Sequence, residues 1–399
     1  MKWEFLRKAE WLDRSRATAY LGILAAINIT SLVALVLTSH GGVDRNGSLL
    51  GTDFLSFWAT GQMLHQGAPV YDAAAHIAAQ RAFYAPEEGY MAFFYPPSFL
   101  PFCWPLGLLG YFPALAIWLL ATGAFYAFAV RKWLGALSLD RPVWLLLAAF
   151  PPVLLTVTHG QSSLLVAALL GLGALLVPRA PVLAGVLLGL ATIKPQFGLL
   201  FPLALLLTRE WRVIIAAGVT AVGLAVMSAV IFGVDIWGDW YLASGRAQSA
   251  LVAGEVAYAK MMSPLAALKL LGAPDSAAFA VQAIVALSVA AAVAWAAWGR
   301  RWSIDLAALV LAGAPLATPF VLDYDMVLLA FPLIYLAATG FRNWERLALV
   351  LGFAGAALAR PLGVYGGIPV MPFIAGLLFV VLARRIIVPI AVSGSAPGE

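Results

Sequence analysis

The sequence predicts an all-α integral membrane protein, a multi-helix transmembrane bundle of about twelve crossings with further helices in its extracytoplasmic loops. Of its 399 residues, 63% are hydrophobic and only 11% are charged. Soluble domains are nearer half apolar and a quarter charged, so this composition excludes a water-soluble globular fold. The single cysteine, Cys103, excludes an internal disulfide and a cysteine-based metal cluster.

The first apolar run, residues 17–38, carries no charge and is long enough to cross the hydrocarbon core. It is too long for the apolar part of a signal peptide, and the sequence SHGGVD after it does not resemble a cleavage site. Five basic residues precede it: Lys2, Arg7, Lys8, Arg14 and Arg16. We therefore predict a retained helix whose N-terminus is cytoplasmic.

The later apolar runs cover residues 112–130, 142–158, 161–177, 182–207, 213–233, 276–298, 304–321, 325–340, 346–360 and 368–385. The run 182–207 is long for one crossing, and Pro195 interrupts it. As one crossing it would put Arg209 and Arg212 outside. As two short helices meeting at Lys194-Pro195-Gln196 it returns both arginines to the cytoplasm, which is the arrangement we predict.

The charge distribution supports this topology. It places 17 of the 24 lysines and arginines inside and seven outside, as the positive-inside rule requires. Eleven carboxylates, Glu87 and Glu88 among them, fall outside and eight inside. The topology accounts for the net charge of +5, so nucleic acid is not an expected partner. Residues 1–385 are predicted to form one transmembrane domain with both termini cytoplasmic, and residues 386–399 a tail.

Two long connections, residues 39–111 and 234–275, fall on the outer side and are expected to carry the functional site, because loops of this length are seldom idle. The cytoplasmic connections are short. No phosphate-binding loop or dinucleotide-binding glycine motif is found, so neither ATP nor a nucleotide sugar is an expected substrate.

The first outer segment predicts an amphipathic helix lying at the membrane surface. Phe54, Phe57, Trp58, Gly61 and Leu64 share one helical face, and Asp53 stands where the helix would begin. The stretch Phe93-Phe94-Tyr95-Pro96-Pro97 that follows is aromatic and stiff. In the second outer segment, aromatic residues alternate with Arg246 and Lys260. Three outward helix ends carry His159-Gly160-Gln161, Lys194-Pro195-Gln196 and Asp323-Tyr324-Asp325.

These motifs, in this order, resemble glycosyltransferase family 87. The resemblance rests on D-F-x-x-F-W-x-x-G-x-x-x-x-x-G-x-P-x-Y-D at residues 53–72, Tyr95-Pro-Pro, Gly160-Gln161 and Lys194-Pro195. It implies a fold of the GT-C superfamily, an active site on the outer face of the bacterial cytoplasmic membrane, and a polyprenyl-phosphate sugar donor. It also implies an acidic base in the first outer loop, which by position is Asp53.

The chemistry of such a transfer assigns roles to the candidate residues. An inverting transfer needs a single base, Asp53, to take the proton of the acceptor hydroxyl. The leaving phosphate needs a cation: Lys194, with Arg246 and Lys260 as alternatives. Candidate substrate-binding residues are Trp58, Tyr95, His159, Gln161, Gln196, Asp323 and Asp325. Structural roles remain open for each of them: Asp53 as a helix cap, Lys194 reaching toward the interface, and Asp323 with Asp325 as a turn.

The sequence predicts no cofactor and no metal. His65 and His76 lack a metal-binding spacing, although a divalent ion held by Asp323 and Asp325 stays open. We expect the transfer of mannose or another hexose or pentose to a glycolipid or envelope glycan. The alternative function is a lipid or sugar transporter or flippase, but no internal repeat with matching broken helices is evident.

Overall fold

The computed structural model describes residues 2–85 and 91–387, and all regular elements in that part of the chain are helices. The first nine are α1 Lys2–Lys8, α2 Arg14–Leu37, α3 Phe54–His65, α4 Ala73–Arg81, α5 Leu100–Cys103, α6 Tyr111–Ala136, α7 Val143–Ala149, α8 Pro151–His159 and α9 Ser163–Leu176. The others are α10 Pro181–Leu190, α11 Leu200–Leu207, α12 Trp211–Phe232, α13 Ile236–Ala253, α14 Pro264–Leu270, α15 Asp275–Ala297, α16 Ile304–Gly313, α17 Ala330–Ala338, α18 Glu345–Gly366 and α19 Met371–Ile387.

Short 3₁₀ turns connect several of these helices, at Pro97–Phe99, Trp104–Leu108, Ala191–Ile193, Pro195–Phe197, Tyr258–Lys260, Ala314–Leu316 and Asp323–Leu329. The prediction of an all-helical protein is confirmed for the described residues. Helix α19 runs two residues into the predicted tail. The rest of that tail, residues 388–399, lies outside the described residues, and so do Glu87 and Glu88 of the first outer segment.

Five helices are long and apolar enough to cross a membrane: α2, α6, α12, α15 and α18. Shorter apolar helical segments cover residues 163–176, 181–193 and 304–316. On α12 the exposed fraction is 68% for Val219 and 79% for Val230, so this face needs a lipid surround. The chain is therefore a helical membrane protein, and the count of twelve crossings stays a prediction.

The predicted run 142–158 is two helices rather than one. Helix α7 ends before Phe150, whose backbone is extended, and α8 begins with two prolines. Pro151 and Pro152 have no amide hydrogen to donate to the last carbonyls of α7, which stops that helix and starts the next.

The chain reverses direction at Lys194. Gly185 of α10 packs against Val213 of α12, and Gly189 packs against Thr220. Contacts that advance together along both helices mean that α10 and α12 are parallel, so α11 between them runs back. This geometry agrees with two short helices that meet at Lys194-Pro195-Gln196, although each is shorter than the roughly 20 residues of a full crossing.

Basic residues predicted to be cytoplasmic lie together at one end of the bundle, which we call the basic end. There Arg346 donates to the carbonyl oxygen of Ala9 at 3.3 Å, Arg300 donates to that of Ile386 at 3.0 Å, and Arg385 pairs with Glu345. The outward helix ends of α8 and α10 lie at the other end, which we call the site end.

Helix α3 differs from its prediction. Eight of its twelve residues are buried, so the prediction of an exposed polar face is wrong, while its position at the membrane surface stays a prediction. Residues 97–108 fold back over it, and the backbones of Gly61 and Gly107 touch: a Cβ on Gly61 would lie 2.6 Å from the Gly107 nitrogen. The two glycines permit this close packing, which the helical period of α3 alone does not encode.

Candidate active site

The segment that enters α3 is fixed to the end of α8. The amide of Asp53 donates to the carbonyl oxygen of His159 at 3.0 Å. Gly160 ends α8 with φ +66°, in the left-handed region, and a Cβ there would lie 2.5 Å from the Cβ of Phe54. Glycine at this position therefore lets the two segments touch, and it brings Gln161 beside Asp53.

Asp53 is held through one oxygen and open at the other. Its Oδ2 accepts a hydrogen bond from Nε2 of Gln161 at 2.8 Å. The side chain makes no capping bond to the first turn of α3, so a role as a helix cap alone is wrong. Asp53 is half-buried, and Oδ1 accepts no hydrogen bond from any described residue. Oδ1 therefore keeps its capacity to accept a hydrogen bond from a further donor.

Gln161 is a buried hub between Asp53 and two tyrosines. Its Nε2 also donates to the hydroxyl of Tyr324 at 3.1 Å, and its Oε1 accepts from the hydroxyl of Tyr95 at 3.0 Å. Burial raises the pKa of Tyr95 to about 12, so its phenol stays protonated and can donate. This donation fixes the amide with its nitrogen toward Asp53.

Lys194 is buried next to this hub and already has a counter-charge. Its Nζ lies 2.9 Å from Oδ1 of Asp325 and 3.3 Å from Oγ of Ser163. It also lies over the rings of Tyr95 and Tyr324, 5.6 and 5.3 Å from their centroids. The lysine does not reach toward the interface, and it does not depend on a donor phosphate for neutralisation. Asp325 supplies that charge from inside the bundle.

The two aspartates around Tyr324 face different partners. Asp325 binds Lys194, whereas Oδ2 of Asp323 lies 3.4 Å from Nε of Arg360. Each carboxylate thus has its own cation, because the 3₁₀ turn that begins at Asp323 directs them apart.

The histidines of the first outer segment have partners of other kinds. His65 contacts the carbonyl oxygen of Trp104, and His76 contacts Thr60 and Gln80. Across residues 2–85 and 91–387, no three His, Cys, Asp or Glu side chains are grouped so that they could hold a metal ion.

The family comparison agrees with the resemblance carried by the motifs. The model of glycosyltransferase family 87 matches residues 93–321, more than half of the chain. The chain belongs to glycosyltransferase family 87. It is thus a membrane glycosyltransferase, which favours the transferase over the transporter alternative. No curated protein and no solved structure matches it. The matched region includes Tyr95, Gln161 and Lys194, while Asp53 and Asp325 lie beyond its ends.

Three predicted substrate-binding residues of this family 87 chain have different surroundings. His159 is half-buried, with Nδ1 2.8 Å from the carbonyl oxygen of Leu155 and its ring against Tyr324. Gln196 is half-buried on the turn that follows Lys194. Trp58 donates to the carbonyl oxygen of Leu109 at 2.9 Å, and its ring packs against the rings of Phe83 and Tyr111.

The two alternative phosphate clamps are separated. Arg246 of α13 donates to the carbonyl oxygen of Tyr71 at 2.5 Å and lines a small cleft with His76 and Phe93. Tyr71 in turn donates from its hydroxyl to the carbonyl oxygen of Tyr95 at 2.7 Å, so Arg246 is linked through Tyr71 to the ring that lies under Lys194. Lys260 is exposed, on a turn whose next residue forms a bridge to Leu322, beside the Asp323 turn.

Three contacts of the site were not predicted from the sequence of this glycosyltransferase. Ser163 donates to Asp325 at 2.5 Å, Tyr324 binds Gln161, and Arg360 pairs with Asp323. A signal for the last was present, since Arg360 closes an apolar run, where a charged side chain is costly without a partner. The sequence does not show whether Asp323 or Asp325 is the partner of Arg360.

Proposed function

We propose that this glycosyltransferase moves a sugar from a polyprenyl-phosphate donor to a glycolipid or envelope glycan, at the outer face of the bacterial cytoplasmic membrane. Mannose or another hexose or pentose is the proposed sugar. The proposal extends to about twelve crossings with both termini cytoplasmic, so that the basic end faces the cytoplasm. No metal or other cofactor is part of it.

The hydrogen bond from Gln161 to Asp53 carries the proposal. It supports a base whose Oδ2 is fixed and whose Oδ1 takes the proton of the acceptor hydroxyl. The hydroxyl oxygen attacks the anomeric carbon from the face opposite the phosphate. The bond from that carbon to the phosphate oxygen breaks, and the polyprenyl phosphate leaves with the electron pair, which inverts the anomeric centre.

Positive charge near the leaving group completes the proposed mechanism. Lys194, Arg246 and Lys260 are the proposed cations, and Lys194 is supported by its place on the rings of Tyr95 and Tyr324. A preorganised cation stabilises the developing phosphate charge. The residues proposed to surround the substrates are Trp58, Tyr95, His159, Gln161, Gln196, Asp323 and Asp325.

The test is Asp53→Asn in purified protein supplied with polyprenyl-phosphate mannose and a lipid-extract acceptor. The amide keeps the bond from Gln161 but cannot take the proton, so turnover should fall by about 10²–10⁴-fold with donor binding retained. Asp44→Asn is the matched control, because Asp44 accepts backbone hydrogen bonds in an exposed turn that asparagine can also make. Wild-type turnover by Asp53→Asn would remove Asp53 from the reaction.

A further inference from the structure

The amide of Gln161 uses all of its hydrogen-bonding positions inside the protein. Its Oε1 accepts from the backbone amide of Ser162 at 3.1 Å and from the hydroxyl of Tyr95 at 3.0 Å. Because a backbone amide only donates, the contact with Ser162 identifies this atom as the oxygen of the side chain. The nitrogen gives one hydrogen to Oδ2 of Asp53 and the other to the hydroxyl of Tyr324. Gln161 therefore has no hydrogen left for a substrate.

The hydroxyl of Tyr95 is also committed within the protein. It donates its single hydrogen to Oε1 of Gln161, and its oxygen lies 2.7 Å from Oγ of Ser162, which can donate to it. Donation to a ligand would first require the bond to Gln161 to break. Tyr95 therefore holds the amide of Gln161 in place and has no hydrogen to spare for a substrate.

The hydroxyl of Tyr324 still has its hydrogen to donate. Its oxygen accepts from Nε2 of Gln161 at 3.1 Å, so its own hydrogen is left for another acceptor. Within residues 2–85 and 91–387, no atom accepts that hydrogen. Burial raises the pKa of Tyr324, so the phenol stays protonated. Only 6% of the residue is exposed, and a buried donor without an acceptor is costly. This hydroxyl is therefore prepared for an acceptor atom that comes from outside the protein.

Tyr324 lies beside the group that is proposed to activate the acceptor. Its oxygen and Oδ2 of Asp53 are bound to the same nitrogen of Gln161, at 3.1 and 2.8 Å. Oδ1 of Asp53, the proposed proton acceptor, belongs to the same carboxylate. Sugar rings carry hydroxyls on adjacent carbons, so an acceptor held by Asp53 presents a second oxygen to its surroundings. The nearby donor that is still free to bind this oxygen is the hydroxyl of Tyr324.

We propose that the hydroxyl of Tyr324 donates a hydrogen bond to the acceptor, at a sugar oxygen next to the one that attacks. This inference rests on the proposed function and adds a residue that determines acceptor specificity. The two aspartates that flank Tyr324 are already paired with cations, Asp323 with Arg360 and Asp325 with Lys194. A site that donates to a substrate oxygen discriminates against a molecule that lacks it, because the buried donor is then left unpaired. Tyr324 thus selects and orients the acceptor.

Steady-state kinetics of Tyr324→Phe test this contact in the purified full-length protein. Polyprenyl-phosphate mannose and the lipid-extract acceptor are varied in turn. Loss of one neutral hydrogen bond should raise the KM for the acceptor about three- to tenfold and leave kcat and the KM for the donor unchanged. Asp53→Asn should show the opposite split, a lower kcat with binding retained. Tyr335→Phe is the control, because Tyr335 is a buried tyrosine beside Arg385 at the basic end.

Thermal unfolding in detergent separates this role from a structural one. Tyr324→Phe removes a hydroxyl that donates to no residue of the described ranges, so its unfolding midpoint should stay close to that of wild type. Tyr126→Phe removes a buried hydroxyl that donates to the carbonyl oxygen of Val327 at 2.7 Å, so its midpoint should fall.

An unchanged KM for the acceptor in Tyr324→Phe, the result if an ordered water takes the hydrogen, would overturn the inference. A raised KM for the donor instead, or a midpoint as low as that of Tyr126→Phe, would overturn it as well. The proposed function fails by a different result, a wild type that transfers no sugar from polyprenyl-phosphate sugars. An active enzyme that is indifferent to the Tyr324 hydroxyl would keep the function and lose the inference.

Discussion

Gly160 and Phe54 are in such close contact that a Cβ on Gly160 would lie 2.5 Å from the Cβ of Phe54. The two residues are far apart in the sequence, yet this contact sets the distance between the end of α8 and the start of α3. Gln161 follows the glycine and Asp53 precedes the phenylalanine, and their side chains meet at 2.8 Å. The Gly160-Gln161 motif, which resembles an ordinary C-terminal helix cap in the sequence, therefore positions Asp53, the proposed base.

Substitution Gly160→Ala should damage both stability and turnover. Alanine in the left-handed region costs about 1–2 kcal/mol, and its Cβ would push Phe54 and the adjoining Asp53 away. We expect a lower unfolding midpoint and a loss of turnover beyond what the fraction folded explains. Gly123→Ala in α6 is the control, because a Cβ there meets nothing within 4 Å. Equal turnover in the two variants would contradict the positioning role of Gly160.

Much of this arrangement could be predicted from the sequence. Every apolar run falls on at least one helix, because lipid requires each spanning segment to satisfy its own backbone hydrogen bonds. The motifs with Gln161, Lys194 and Asp325 meet because each follows a helix end on the same side. The charge count that predicted the outer side for these motifs also placed Arg300 and Arg346 at the opposite end of the bundle.

The partners within the site could not be predicted. Asp323 and Asp325 are two residues apart, and a small change in the winding of their turn would exchange the carboxylates offered to Lys194 and Arg360. The burial of α3 was missed for a related reason. Its cover comes from residues 97–108, and the period of a helix shows which face is apolar but not which segment folds over the opposite face.

Variants of Lys194 and Asp325 can distinguish a structural role of Lys194 from a catalytic role. Lys194→Met should destabilise the protein by about 3–5 kcal/mol, because it leaves Asp325 charged and buried. The double variant Lys194→Met/Asp325→Asn should recover most of that loss, measured as the unfolding midpoint in detergent. Its turnover should stay low if the ammonium stabilises the leaving phosphate. A double variant that is both stable and fully active would limit Lys194 to a structural role.

Acid should weaken the first outer segment through His76. This residue is buried against Thr60 and Gln80, and burial lowers its pKa from 6.5 to about 4. Between these values the unfolded chain binds a proton that the folded chain does not, so stability falls as the pH falls through this window. The loss should reach about 3 kcal/mol near pH 4.

Thermal unfolding of His76→Gln between pH 7 and 4 measures this contribution. The variant should lose that part of the pH dependence, whereas His65→Gln, at an exposed position, should keep the wild-type profile. Parallel profiles for wild type and His76→Gln would show that the histidine is not the group responsible.

The sidedness of the bundle can be measured with single cysteines at its two ends. Cys103 is buried, so Cys103→Ala gives a background without reactive thiols. In intact cells, Lys260→Cys should react with an impermeant maleimide, while Arg301→Cys should react only after the membrane is opened; both positions are exposed. The physical reason is the excess of positive charge at the end that holds Arg301, which stays in the cytoplasm during insertion. The reverse labelling pattern would put Asp53 and Lys194 on the cytoplasmic side and remove the basis for an outer-face lipid donor.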